Sequence, residues 1–119
     1  MNKSQDIVEK PWGWYKVLAQ RPSYQVKELL VYPGHQLSYQ SHKKRTEFWM
    51  IMRGTGKVML NGMVQTVSSG QRISVECGMK HRISNTGDND LVFIEIQTGE
   101  YFGEDDIVRY EDDYNRLTV

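Results

Sequence analysis

The alternation of apolar and polar positions along the chain predicts many short strands separated by turns. Asn61-Gly62 lies between two such runs and is typical of a tight antiparallel hairpin. No stretch of ten residues within 20–98 keeps an apolar period near 3.6, so helices are not expected there. The predicted strands are rich in Val, Ile, Tyr and Phe, and they cover residues 24–32, 48–52, 57–60, 63–67, 73–75, 81–84 and 91–97.

This number of short strands predicts an all-β fold that closes on itself. Exposed strand edges invite aggregation, so about 80 residues of strand favour a small barrel or a jelly roll. We expect one domain over residues 1–119, since the length suits a single hydrophobic core. Residues 103–116 are expected to add one or two short turns. Trp12, Trp14 and Tyr15 are expected to pack at one end of the barrel.

The charge is balanced overall but uneven along the chain. The 15 basic and 15 acidic residues give a net charge of zero, which is not the basic footprint of a nucleic-acid-binding protein. Residues 1–99 hold 13 basic and 8 acidic residues, whereas residues 100–119 hold two and seven. A positive body favours a small anionic substrate, and an acidic tail that docks on that body is the alternative. Charge alone leaves both open.

The remaining composition predicts a cytoplasmic protein without membrane contact. The longest apolar run, residues 48–52, is far shorter than the roughly 20 residues that span a membrane. The first residues lack the apolar core of a signal peptide. Cys77 is the single cysteine, so no internal disulfide can form, as is typical of a reducing compartment.

Four polar side chains form a candidate metal site. Gln40 and His42 are two residues apart, so on a strand they share a face. Glu47 opens the next apolar strand, and His81 follows the turn at 76–78. Inward-facing residues converge in a closed barrel, and this donor set suits Zn, Fe, Mn, Co or Ni. The alternative is that each histidine is an ordinary hydrogen-bonded barrel residue and that Glu47 pairs with Arg45.

Two patterns of glycines and polar residues resemble the two motifs of the cupin family. Gln40 stands where the first motif usually has His, and Glu76 stands where the second usually has Pro. The resemblance implies a cupin-type jelly-roll β-barrel with a short C-terminal tail. It also implies that a divalent metal ion is bound by Gln40, His42, Glu47 and His81. Zinc is the expected ion, ahead of Mn, Co, Ni and Fe. The spacings match throughout, at Gly34, Gln40, His42, Glu47 and Gly54, and at Gly70, Glu76, Gly78, His81 and Asn85.

Three longer segments narrow the resemblance. Residues 11–18, 24–58 and 99–116 resemble the isomerase domain of type II phosphomannose isomerases, usually the C-terminal part of a bifunctional mannose-1-phosphate guanylyltransferase. The acidic run GEDDIVRYED is the most specific of these likenesses. The chain departs from the family where Lys43 and Lys44 replace histidines, and at Phe48 and Asn115. The first three of these departures change residues beside the predicted metal site, and none removes a metal ligand.

The resemblance implies an enzyme. It predicts a metal-dependent isomerase that interconverts mannose 6-phosphate and fructose 6-phosphate through an enediol, without guanylyltransferase activity, since no Gly-rich phosphate loop is present. Arg45 is the predicted catalytic residue, in contact with the enediolate or the phosphate, and Lys43, Lys27 and Arg109 are predicted to bind substrate. A homodimer is also expected. Among Lys43, Lys44 and His35, the sequence does not identify the general base.

Alternatives to this enzyme remain. Arg45 can instead form a salt bridge to the acidic tail, and Lys27 and Arg109 can be solvated surface residues. The second functional hypothesis is a non-catalytic cupin that binds a sugar phosphate or a sugar nucleotide. The third is an iron-dependent dioxygenase, based on two histidines and a carboxylate, which Gln40 disfavours.

Overall fold

The computed structural model describes residues 6–114, and nearly all of its elements are β-strands. Within this range a single 3₁₀ turn, Glu104–Asp106, interrupts the strands near the end. The strands are β1 Ile7–Lys10, β2 Gly13–Arg21, β3 Tyr24–Val31, β4 Tyr39–Ser41, β5 Arg45–Arg53, β6 Thr55–Leu60, β7 Met63–Ser68, β8 Arg72–Val75, β9 His81–Asn85, β10 Leu91–Gly99 and β11 Val108–Glu111. All seven predicted strands are present.

The strands form two antiparallel sheets around one core. The order is β1-β2-β3-β10-β5-β8 in the first sheet and β11-β4-β9-β6-β7 in the second. Trp49, Ile51 and Phe93 of the first sheet and Val58 and Ile83 of the second are buried in the same cluster. This arrangement confirms the predicted jelly-roll β-barrel. None of the described residues belongs to a helix that is long and apolar enough to cross a membrane.

The hairpin between β6 and β7 has the predicted turn. Asn61 and Gly62 both have positive φ, 48° and 84°, as the two central residues of a type I′ turn require. Leu60 lies opposite Met63, so the two strands are paired up to the turn itself. Asn61 also accepts a hydrogen bond from the backbone of Lys80 through Oδ1, at 2.9 Å, which ties the hairpin to the segment before β9.

Residues 103–114 are more ordered than the sequence predicts. The expected turn is present at Glu104–Asp106, but it leads into β11, which pairs with β4 and places Arg109 opposite Gln40. The four residues of this strand alternate apolar and polar side chains, but Val108 and Tyr110 are exposed, so the alternation marks no buried face and the strand depends on pairing with β4. Asn115 and residue 116, which the sequence analysis assigned to the same tail, lie outside the described residues.

Candidate metal centre

His42, Glu47 and His81 come together in the interior of the barrel. Glu47 lies on β5, His81 begins β9, and His42 directly follows β4. All three are buried, and their ligand atoms lie within 4.8 Å of one another. Nε2 of His42 is 3.3 Å from Oε2 of Glu47, and Nε2 of His81 is 4.0 Å from Oε1. The structure therefore gathers three of the four predicted ligands.

Both imidazoles are in the form that binds metal. Burial, followed by the charge of Arg45, lowers the pKa of His42 to about 3. Burial also lowers the pKa of His81. Nδ1 of His81 lies 3.0 Å from the carbonyl oxygen of Met79, which only accepts hydrogen bonds, so the ring proton is on Nδ1. The lone pair of Nε2 is then directed toward Glu47, as in many metal-binding histidines.

The Glu47 carboxylate is oriented by neighbours on its own strand. Arg45, Glu47 and Trp49 alternate along β5, so all three side chains point inward. Nε of Arg45 donates to Oε2 at 2.9 Å, and Nε1 of Trp49 donates to Oε1 at 3.0 Å. Glu47 therefore pairs with Arg45 and also faces the two histidines. The sequence left this pairing as an alternative to metal binding, and the structure contains both arrangements.

The donor set and its spacing fit a divalent ion. Zinc lies about 2.0–2.2 Å from nitrogen and oxygen ligands, so tetrahedral ligand atoms are roughly 3.4 Å apart. The distance of 3.3 Å between Nε2 of His42 and Oε2 of Glu47 matches this value, whereas Nε2 of His81 lies 4.0 Å from the other oxygen, Oε1, so the three ligand atoms would draw closer together around an ion. Two neutral imidazoles and one carboxylate are the ligand types that zinc and other transition metals prefer. This cluster can therefore hold a metal ion.

Gln40, the fourth predicted ligand, lies next to the cluster. It pairs with His81 across β4 and β9 and lines the same cavity as His81 and Glu47. Its amide nitrogen donates to Oγ of Ser38 at 3.0 Å, so the amide oxygen is the atom left to face an ion. Its coordination of a metal stays a prediction.

The cavity beside the cluster has several cationic residues in its walls. Lys27 lies on β3, with Nζ 4.3 Å from the centre of the Tyr15 ring, and Arg109 enters from β11. Lys43 is exposed and is not among the lining residues, and its backbone N–H donates to the Asp106 carboxylate. Substrate binding by these three residues stays a prediction. The charged lining residues are Lys10, Lys27, Arg45, Glu47, Arg82, Glu95, Glu104 and Arg109.

Glu95 is a cavity residue that the sequence reasoning missed. Burial, followed by the negative charge of Glu47, raises the pKa of Glu95 to about 7. Its Oε2 accepts a hydrogen bond of 2.5 Å from Nε2 of Gln97, whose Oε1 accepts one of 2.9 Å from Gln25. One feature of the sequence could have indicated Glu95, because it is the single carboxylate within the largely apolar strand at 91–97.

The acidic segment after β10 docks across the cavity. Nη1 of Arg45 donates to the carbonyl of Phe102 at 3.3 Å, and the backbone N–H groups of Lys43 and Lys44 donate to the two oxygens of Asp106. Glu104, between these anchors, lines the cavity. The acidic segment therefore docks on the body of the protein. This was one of the two explanations that the uneven charge left open.

Comparison with known proteins identifies the relatives of the chain. Residues 1–112 match the protein family described as "Mannose-6-phosphate isomerase C-terminal". A Salmonella montevideo protein named mannose-1-phosphate guanylyltransferase is 40% identical over 109 residues, which are 92% of this chain and 23% of that protein. The xanthan biosynthesis protein XanB of Xanthomonas campestris pv. campestris is 41% identical, with the same coverage. The chain thus spans about a quarter of the length of these relatives.

Solved structures support the fold alone. A double-stranded β-helix protein of Klebsiella pneumoniae superposes with a TM-score of 0.77 at 17% identity, covering 88% of this chain and 90% of the other. The cupin domain of Cnp3 from Schizosaccharomyces pombe superposes with a TM-score of 0.74 at 15% identity, covering 79% and 68%. Both likenesses agree with the cupin barrel predicted from the glycine patterns.

The enzymatic prediction is wrong. Relatives about 40% identical over 92% of the chain are named as guanylyltransferases, not as mannose-6-phosphate isomerases. These names contradict the assignment of an isomerase that is separate from guanylyltransferases, and the proposed enediol chemistry falls with it. A catalytic role of Arg45 stays a prediction. In the structure the guanidinium of Arg45 donates hydrogen bonds to the Glu47 carboxylate and to the backbone carbonyl of Phe102.

Proposed function

The chain belongs to the family described as "Mannose-6-phosphate isomerase C-terminal", and from this membership we propose that it is a metal-binding domain whose cavity holds a phosphorylated mannose without converting it. The observation that carries the proposal is the buried cluster of His42, Glu47 and His81, placed beside a cavity with cationic walls. A metal ion and fixed cations in one cavity suit a ligand that combines hydroxyl groups with a phosphate.

Zinc is the proposed ion, held by His42, Glu47 and His81 with the amide oxygen of Gln40. Three of these four ligands are neutral, so a bound divalent ion keeps a net positive charge and supplies an electrophilic centre for sugar hydroxyl oxygens. Trp49 and Arg45 orient Glu47, and the carbonyl of Met79 orients His81. These contacts fix the ligand atoms in place before the ion arrives.

Lys27 and Arg109 are the proposed phosphate contacts. Both line the cavity, and neither is held by a hydrogen bond to another described side chain. The guanidinium of Arg109 presents a planar set of donors that matches phosphate oxygens in pairs. Arg45 is less suited, because Glu47 and Phe102 already occupy its donors.

The named activity of the relatives suggests the first ligand to test. Proteins called mannose-1-phosphate guanylyltransferases act on mannose 1-phosphate, and this chain resembles 23% of their length. We therefore propose mannose 1-phosphate as the ligand.

Calorimetric titration of the zinc-loaded protein with mannose 1-phosphate tests the function. We expect binding that is lost with unphosphorylated mannose, weakened but not abolished by removal of zinc, and weakened by Arg109→Gln. Arg53→Gln, a change of the same charge at the exposed end of β5, is the control and should bind as the wild type does. Equal affinity for mannose and mannose 1-phosphate, or no binding of either, contradicts the proposal.

Self-association is a further part of the proposal. In the described structure β1 is at the edge of the first sheet, and Ile7 and Val8 on it are exposed. An edge strand presents unpaired backbone groups that a second chain can pair with. Sedimentation equilibrium should give twice the mass of the chain, and a monomer at all concentrations contradicts this part.

A further inference from the structure

A carboxylate of the chain lies among the cations at the cavity mouth. Glu104, on the 3₁₀ turn, lines the cavity together with Tyr15, Lys27 and Arg109. Its Oε1 is 4.0 Å from Nη2 of Arg109. The carboxylate also raises the pKa of the Tyr15 hydroxyl by charge and hydrogen bonding, after burial as the largest cause. Glu104 thus sits where an anionic ligand would meet these groups.

The contact between Glu104 and Arg109 is loose. The Glu104 side chain is 55% exposed, and 4.0 Å is too long for a hydrogen bond to the guanidinium. Exposed ion pairs of this kind contribute roughly 0–1 kcal/mol. Turning the carboxylate into solvent therefore costs little at Arg109 and gives up the hydrogen bond with the Tyr15 hydroxyl, while Asp106 and the carbonyl of Phe102 keep the segment docked.

One hydrogen-bond donor of Arg109 lacks an acceptor among the described residues. The Arg109 side chain is 19% exposed, and this donor, Nε, is buried. A buried donor that lacks a partner costs free energy, which a better acceptor would recover. Lys27 is equally available, because Nζ lies over the Tyr15 ring and forms no ion pair with another described residue.

We propose that Glu104 occupies an anion subsite formed by Tyr15, Lys27 and Arg109, and that a phosphate group of the ligand displaces it. This inference rests on the proposed function and specifies which ligands succeed. A phosphate carries close to two negative charges and three acceptor oxygens, so it can bind the guanidinium in a paired manner. A ligand that carries a carboxylate would replace the Glu104 carboxylate by a group of the same kind and gain no additional contact. The subsite therefore selects phosphorylated over carboxylated sugars.

Titration of the metal-free protein with inorganic phosphate tests the subsite and avoids zinc phosphate. We expect Glu104→Gln to bind phosphate about fivefold tighter than the wild type, the equivalent of a weak exposed ion pair. Glu100→Gln makes the same charge change at an exposed residue outside this cavity and should leave the affinity unchanged. Arg109→Gln in the Glu104→Gln background should cancel the gain.

Equal affinities of Glu104→Gln and Glu100→Gln, weaker binding by Glu104→Gln, or a gain that survives Arg109→Gln would each overturn the displacement. The result is separable from the proposed function. A gain in phosphate affinity together with failure of zinc-dependent sugar binding leaves the subsite standing and removes the larger proposal. Zinc-dependent sugar binding without any effect of Glu104→Gln on phosphate affinity supports the proposed function and removes the subsite occupied by Glu104.

Discussion

Nε of Arg45 lies 2.9 Å from Oε2 of Glu47, so the carboxylate that faces two histidines is also paired with a cation two residues away on the same strand. Both side chains are at most 5% exposed. In the metal-free protein Arg45 therefore supplies the positive charge that a metal ion would supply. The pair holds the Glu47 carboxylate in an orientation that faces both histidines.

Arg45→Gln should destabilise the metal-free protein more than the zinc-bound protein. Removing one partner of a buried ion pair leaves a charge uncompensated and costs about 3 kcal/mol. Zinc neutralises Glu47 and recovers part of that loss. Urea unfolding with zinc and with a chelator measures both values, and Arg53→Gln on the same strand is the control. An equal loss under both conditions would show that Arg45 does not substitute for the metal charge.

Substitution of either histidine in the cluster should remove tight metal binding. We expect His42→Ala and His81→Ala to weaken zinc affinity by more than about 100-fold, the upper range for residues that merely orient a ligand. The control is His35→Ala, because His35 is hydrogen-bonded to Tyr114 at 2.7 Å and is not part of the cluster. Competition with a chromophoric chelator gives the affinities. Wild-type affinity in either cluster variant would refute the ligand assignment.

Glu95 should make the metal-free protein less stable as the pH rises. Its pKa is raised from 4.5 to about 7 by burial first, so the folded protein retains a proton that the unfolded chain releases. The contribution is fully present below pH 4.5 and is lost as the pH rises through about 7, amounting to about 3 kcal/mol.

Glu95→Gln should flatten this dependence, because an amide stays neutral at every pH. Unfolding free energies between pH 5 and 8 provide the measurement. Glu9→Gln, a change at an exposed residue, should keep the wild-type slope. If the slopes of Glu95→Gln and the wild type agree, Glu95 is charged throughout and the predicted linkage is absent.

Gly62→Ala should lower the unfolding free energy by about 1 kcal/mol through the backbone alone. The φ of Gly62 is 84°, and an added Cβ would meet no atom within 4 Å, so no steric clash contributes. Gly87→Ala is the matched control, since its φ is outside the left-handed region and its Cβ would make a contact of 3.4 Å. Equal stability of Gly62→Ala and the wild type would mean that the turn relaxes.

The sequence predicts the parts of the fold that local patterns determine. The turn at Asn61-Gly62 follows from backbone preference, whereas the meeting of His42 and His81 was implied by the resemblance of the glycine patterns to the cupin motifs. The pairing of β11 with β4 and the placement of Glu95 and Glu104 depend on contacts between distant segments, which no local pattern records. The isomerase assignment was wrong for another reason: it relied on likeness to an isomerase domain, whereas relatives about 40% identical over 92% of the chain are named mannose-1-phosphate guanylyltransferases.

X-ray absorption spectroscopy at the zinc edge tests the metal centre most directly. For the purified protein loaded with one equivalent of zinc, we predict a first shell of nitrogen and oxygen near 2.0–2.1 Å. We also predict the outer-shell scattering of two imidazole rings. A first shell of water oxygens without imidazole scattering, or a sulfur ligand from Cys77, would contradict the metal centre of His42, Glu47 and His81.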